Sequence, residues 1–169
     1  NYNYPHPVDA PYVPDDNPCG IYEREFMLDE MWTDRKTYAV FEGVSSCLIL
    51  YVNGEYVGFS QVSHMQAEFD ITPFVKKGKN IITARVLKWC VGSYLEDQDF
   101  MRYNGIFRDV YLLSREAEHI EDVYIKADTK SITVGASDYE IYDGDKIADL
   151  SNPVLWNAEK PHLYTVVVK

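Results

Sequence analysis

Three carboxylates, Glu96, Asp97 and Asp99, stand within four consecutive residues, and two arginines, Arg102 and Arg108, follow closely. Tyr94, Phe100 and Tyr103 are threaded among them. Carboxylates this close can share one site for acid/base work. Nothing in the spacing divides them into an acid and a base, and the same residues equally describe a solvated acidic turn. The arginines could bind a ligand. Pairing with Glu96, Asp97 or Asp109 is the simpler use of a guanidinium, and it would hold the segment still. The aromatic residues argue for order.

The elements that must carry this segment flank it. Residues 81–89 and 106–113 are strand-like apolar runs, so residues 93–109 form a connector of about fifteen residues, a length that is usually functional or disordered. Upstream, Tyr22, Phe26 and Leu28 recur mostly at period two, and Met31-Trp32 interrupts. Residues 37–43 alternate again around Tyr38, Val40 and Phe41, and residues 47–52 are almost continuously apolar. Asn53-Gly54 before residues 56–59 is a strong hairpin signal, because both central residues must take positive φ. Residues 69–75 read as a strand end and one helical turn, and residues 76–80 as a basic turn. Seven or more short strands at turn spacing, with no long helical period, predict an all-β sandwich.

The two ends have a different texture. Pro5, Pro7, Pro11, Pro14 and Pro18 predict an extended arm over residues 1–17, packed down through Tyr2, Tyr4 and Tyr12. After Ser114 a charged joint, Arg115 to Glu118, leads to strand-like runs at 120–127, 132–134, 139–142, 153–157 and 163–168.

Composition bounds the function. The 169 residues are 46% apolar, enough for a packed core. A net charge of −11 repels phosphate backbones and anionic membrane surfaces, so neither nucleic acid nor membrane is an expected partner. No apolar run approaches the roughly 20 residues of a membrane helix. Cys19, Cys47 and Cys90 have no metal spacing and are expected to be reduced, in the cytoplasm. His6, His64, His119 and His162 are scattered, which argues against zinc. The chain opens without Met, so an upstream piece is expected.

Residues 93–99 together with Gly105-Ile106-Phe107-Arg108-Asp109-Val110 resemble the amino-terminal region of bacterial β-galactosidases in glycoside hydrolase family 2. The likeness runs, with breaks, along the whole chain. It implies a jelly-roll, sugar-binding sandwich over residues 18–115. Asn152-Pro153-x-Leu155-Trp156 with Pro161-x-Leu163-Tyr164 resembles the closing strands of the family's immunoglobulin-like second domain, here over residues 116–169. That leaves about 55 residues where such a sandwich wants about 100. Either the domain is shortened or residues are absent between about 128 and 149.

The family hydrolyses with retention through two barrel carboxylates about 5–5.5 Å apart. A TIM barrel takes about 250 residues, so by resemblance this chain lacks the catalytic pair and is expected to be inactive alone. Magnesium is expected only with the absent barrel. Two positions carry over. Asp99 matches an aspartate that reaches into the barrel pocket, binding the galactosyl hydroxymethyl group and a sodium ion, a hard cation suited to an anionic oxygen. Asn1, opening Asn1-x-x-Tyr4-Pro5, matches an asparagine that hydrogen-bonds sugar, its amide both donating and accepting. The sequence departs from the best-studied members at Cys90-Val91. The expected partners are a β-galactoside, the barrel of the same polypeptide and further copies in a homo-oligomer.

Other uses stay open. A free-standing carbohydrate-binding sandwich would need no barrel, and a glucuronidase would share the architecture but not the whole connector phrase. Trp32, Trp89 and Trp156 could stack on a pyranose, although core packing suits Trp89 and Trp156 better.

Overall fold

The computed structural model describes residues 9–96 and 103–169. It is all-β and divides into two units, Asn1–Glu118 and His119–Lys169.

Among the described residues the first unit holds nine strands: β1 Cys19–Leu28, β2 Lys36–Phe41, β3 Val44–Ser45, β4 Cys47–Val52, β5 Glu55–Ser60, β6 Ala67–Asp70, β7 Gly78–Leu87, β8 Gly105–Ile106 and β9 Val110–Arg115. They form an antiparallel sheet β1-β7-β4-β5, a second sheet β6-β2-β9 and a short pair β3-β8. Sequence periodicity explains which side chains meet. In β4, Leu48, Leu50 and Val52 alternate inward and are fully buried. Ala84 and Val86 of β7 and Ala39 and Phe41 of β2 complete the core, together with Val44 and Ile71. The Phe41 and Phe69 rings meet edge-on, with centroids 6.3 Å apart.

β2 departs from alternation: Thr37 to Phe41 are all buried, as in a central strand covered on both faces. β1 departs the other way. It is an edge strand, and its apolar Ile21 and Met27 are exposed. The hairpin between β4 and β5 turns on Asn53 (φ 52°) and Gly54 (φ 85°), both positive as the Asn-Gly pair predicts. The Met31-Trp32 interruption is a short 3-10 turn, Glu30–Trp32, whose first N–H groups include one donated to Asp29. The expected helical turn after β6 is Thr72–Phe74.

Asn80 stitches the end of β7 to its neighbours. It is fully buried, yet its amide donates to the carbonyls of Lys76 (2.7 Å) and Gly78 (3.0 Å). Its oxygen accepts from Lys76 N–H and the Asn53 amide, both at 2.9 Å.

Several expected strands change. Residues 106–113 divide into β8 and β9 around a break at 107–109, and residues 88–89 lie beyond β7. In the second unit the strands are β10 Ile125–Ala127, β11 Ile132–Val134, β12 Tyr139–Asp143, β13 Lys146–Ile147 and β14 Thr165–Val168. They pair as β10-β11 and β13-β12-β14. The run at 153–157 is not a strand, since Pro153 and the Asn157 turn, which accepts from Glu159 and Lys160 N–H, take the backbone elsewhere. Trp156 is exposed rather than packed in a core, and so is Tyr12 of the arm.

Candidate functional site

The connector begins where β7 runs out. Trp89 is buried and held by Asn17, whose amide donates to the Trp89 carbonyl (2.9 Å) and whose oxygen accepts the Trp89 N–H (2.8 Å). Lys88 N–H donates to Pro18 O at 2.9 Å. The arm thus pins the start of the connector with a two-point amide bond. A 3-10 turn, Val91–Tyr94, follows. Ser93 is buried, and its hydroxyl accepts the Cys90 N–H at 3.1 Å. The Tyr94 hydroxyl donates to the Tyr12 carbonyl.

Glu96 then turns back onto the sandwich. Its carboxylate accepts the Ser63 N–H at 3.1 Å and the Ser63 hydroxyl at 2.6 Å. Ser63 is almost fully buried, just past β5. On the far side of the connector, the Tyr103 and Phe107 rings stack at 4.6 Å, and the His64 ring lies 5.3 Å from that of Phe107. Phe107 N–H donates to Gly43 O (3.2 Å), and Arg108 donates to the carbonyls of His64 (3.1 Å) and Glu42 (3.4 Å). Gly105, with φ at 76°, packs where a Cβ would overlap the Tyr22 hydroxyl.

The expected partners of these side chains are therefore corrected in two places. Among the described residues Arg108 serves backbone carbonyls rather than Glu96 or Asp109, because Phe107 and Arg108 lie in the break that faces residues 42–43 and 64. Among the described residues Glu96 accepts from Ser63 rather than pairing with an arginine. Asp99 and Asn1, the two candidate substrate residues, and with them Asp97, Phe100, Met101 and Arg102, lie outside the described residues.

Neither Ser63 nor Asn17 stands out in the sequence. Each is a single polar residue in an otherwise unremarked stretch, and only its distance in sequence from its partner, 33 and 72 residues, makes it informative. Burial pushes the Cys47 thiol up, and the neighbouring Cys90 adds to this, against a smaller opposing effect of a Gln61 hydrogen bond. Cys47 and Cys90 are buried and all three cysteines are free. Among the described residues no group of His, Cys, Asp or Glu is arranged to hold a metal ion. None of the described helices is long and apolar enough to cross a membrane.

Two further concavities are present, one in each unit. The first, about 480 Å³, is lined by Trp32, Asp29, Asp34, Thr72 and Lys76, among others. The second, about 310 Å³, is lined by Leu155, Trp156, His162 and Tyr164 with Ile132 and Pro153.

The family description "Glycosyl hydrolases family 2, sugar binding domain" matches residues 1–116. A beta-galactosidase of Actinobacillus pleuropneumoniae is 42% identical over 194 aligned positions, covering 99% of this chain and 19% of that protein. A beta-galactosidase of Yersinia pestis bv. Antiqua (strain Angola) is 51% identical over 126 positions, covering 74% of this chain and 12% of its own length. This chain thus spans a fifth or less of the curated relatives it matches. Among solved structures, the FMN-binding beta-glucuronidase of Facaelibacterium prausnitzii L2-6 superposes with a TM-score of 0.66 at 24% identity, over 88% of this chain and 29% of that one. A beta-glucuronidase of an uncultured Clostridium sp. gives 0.64 at 23%, over 86% and 32%. At such identities these structures speak for the β-sandwich fold alone.

Proposed function

This chain belongs to glycosyl hydrolase family 2, and on that premise we propose that it is the non-catalytic, amino-terminal region of a retaining β-galactosidase. The observation that supports this best is the identity of 42% to 51% with beta-galactosidases, which extends over nearly the whole chain in the first case. The sandwich contributes the connector at residues 93–109, and Asp99 within it supplies an oxygen to the galactosyl hydroxymethyl group and to a sodium ion. Asn1 adds an amide to the sugar. The nucleophile and the acid/base are carboxylates of a barrel elsewhere in the polypeptide, and any magnesium belongs there. The parent is a cytoplasmic homo-oligomer acting on terminal β-galactosides.

Sodium would pay part of the cost of orienting a sugar hydroxyl, since a hard cation fixes the direction of its oxygen ligands. The chain alone has no catalytic pair, so it should not turn over an aryl galactoside. Robust hydrolysis by the isolated chain, unchanged by Asp99→Ala, would contradict this.

A second function, that of a free-standing carbohydrate-binding module, draws on the groove around Trp32. Half-buried, this indole sits among Asp29, Asp34, Thr72 and Lys76, a mixture of apolar face and polar rim that suits a pyranose. Calorimetric titration with galactose and lactose separates the two. Binding near 0.1 mM or tighter, about 5.5 kcal/mol, would favour the module; no binding favours the enzyme part.

A further inference from the structure

We propose that Ser63 and Arg108 are positioning residues, and that residues 61–64 form a platform on which both feet of the acidic connector stand. This rests on the proposed role of Asp99 only for its functional consequence; the platform itself rests on the geometry around it.

Three of these four residues, Gln61, Ser63 and His64, touch the chain on either side of residues 97–102. At the first foot, Gln61 O lies 3.1 Å from where a Cβ at Gly92 would be, so the chain passes closely there. Ser63 commits every polar group it has. Its N–H and hydroxyl both donate to Glu96, and its carbonyl accepts Val44 N–H at 3.2 Å. Two donors from one residue onto one carboxylate fix that carboxylate in position and in rotation, and charge-assisted bonds of this kind are the strong ones. At the second foot, the His64 carbonyl accepts from Arg108, while its ring faces Phe107 at 5.3 Å and Tyr103 at 6.1 Å. Arg108 also covers the Phe107 ring, 5.4 Å from its centroid.

Glu96 and Asp99 therefore have separate tasks, although they are neighbours in sequence. Glu96 is the latch, half-buried and held by both donors of Ser63. The platform fixes the chain at residue 96 on one side and at residues 107–108 on the other. Such support by a rigid neighbour is what keeps a ligand oxygen within a fraction of an ångström of its working place.

The test uses the 169-residue chain with Ser63→Ala, Glu96→Gln, Glu96→Ala and Arg108→Ala. Amide exchange over residues 97–102 and tryptic cleavage after Arg102 should rise about tenfold in Ser63→Ala and Glu96→Ala, and less in Glu96→Gln, which keeps one accepting oxygen. Arg108→Ala should accelerate exchange at the second foot. Exchange in β4 and β7 should stay as it was. Ser63→Ala combined with Glu96→Ala should be no worse than either alone, because they break one contact. Ile71→Val, a core change off the platform, should leave the connector's exchange alone. The proposal is overturned if residues 97–102 exchange within twofold of the parent chain, or accelerate only in step with β4 and β7. A second readout separates the platform from the role of Asp99. In an enzyme completed with the remaining length of the Actinobacillus relative, Ser63→Ala should raise the sodium needed for half-maximal hydrolysis about fivefold, with kcat at saturating sodium little changed. If Asp99→Ala there leaves sodium dependence intact, the Asp99 role fails while the exchange result still decides the platform. If Asp99→Ala abolishes it and Ser63→Ala has no effect, positioning by Ser63 is refuted.

Discussion

The two units solve the same problem with very different means. The first buries a contiguous cluster of nine apolar residues between its sheets, from Ala39 to Val86. In the second, Val134 and Ile141 alone among the described residues are buried apolar side chains. Trp156, Leu155, Leu163 and Ile147 there are exposed. A unit of about 50 residues buries too small a fraction of its surface to close a core of its own. Size alone accounts for part of the contrast. What holds the second unit instead is a set of turns tied by carboxylates: Asp128 accepts from Lys130 and Ser131, Asp149 from Ser151, and Glu140 from Tyr142 while pairing with Lys169.

This contrast can be broken or sharpened by measurement. The largest effect is expected from truncating the core. Leu50→Ala should cost the first unit about 4 kcal/mol in denaturant unfolding, because the site is fully enclosed. Ile141→Ala in the second unit should cost about 2 kcal/mol, since open surroundings collapse around the gap. Equal losses would mean that the second unit has a core as tight as the first. Next comes Asn80→Ala, which strands the carbonyls of Lys76 and Gly78 and the N–H of Lys76 and should cost about 2–3 kcal/mol. A loss below about 0.5 kcal/mol would remove that stitch from the explanation of β7.

Acid should act on the second unit first. Backbone N–H of Lys130 and the Ser131 hydroxyl hold Asp128 below the usual carboxylate range, the Ser151 hydroxyl does so for Asp149, and Lys169 with Tyr142 for Glu140. In the first unit Asp70 is also lowered: burial would raise it, but Thr72 and Lys36 together outweigh that. Each of these groups has a folded pKa below its unfolded value. The stability they contribute is therefore present above the unfolded value, about pH 4, and is lost as pH falls through the folded one. Two-dimensional NMR from pH 7 to 2 should show the resonances of residues 119–169 losing dispersion at higher pH than those of β4 and β7. The reverse order would contradict the assignment of turn carboxylates as the main support of the second unit. The smallest effect is chemical: Cys19, exposed, should react with a thiol reagent in the native state, and Cys47 only as the protein unfolds.

Much of the first unit was legible because its signals are local. The apolar run that became β4, the Asn53-Gly54 turn and the interruption at Met31-Trp32 each follow from a few neighbouring residues. The exposed β1 and the doubly covered β2 could not be read locally, because edge and centre are properties of the sheet order. The second unit was harder. Pro153 to Trp156 has the apolar content of a strand but lacks neighbours to pair with. In the site, the connector was legible from its charge and length. Its supports were not, since Asn17, Gln61 and Ser63 meet it only through the fold. Arg108 was expected to pair with Glu96, Asp97 or Asp109; among the described residues it meets carbonyls instead, because the break between β8 and β9 aims it at residues 42 and 64, and Asp97 lies outside them.

The most direct test is hydrolysis of an aryl galactoside by the chain completed with the remaining length of a relative, with and without Asp99→Ala. The isolated chain should be inactive, the completed enzyme active, and Asp99→Ala should lower kcat/KM at least tenfold, about 1.4 kcal/mol, with weakened dependence on sodium. Turnover by the isolated chain, or an Asp99→Ala enzyme indistinguishable from its parent at every sodium concentration, would contradict it.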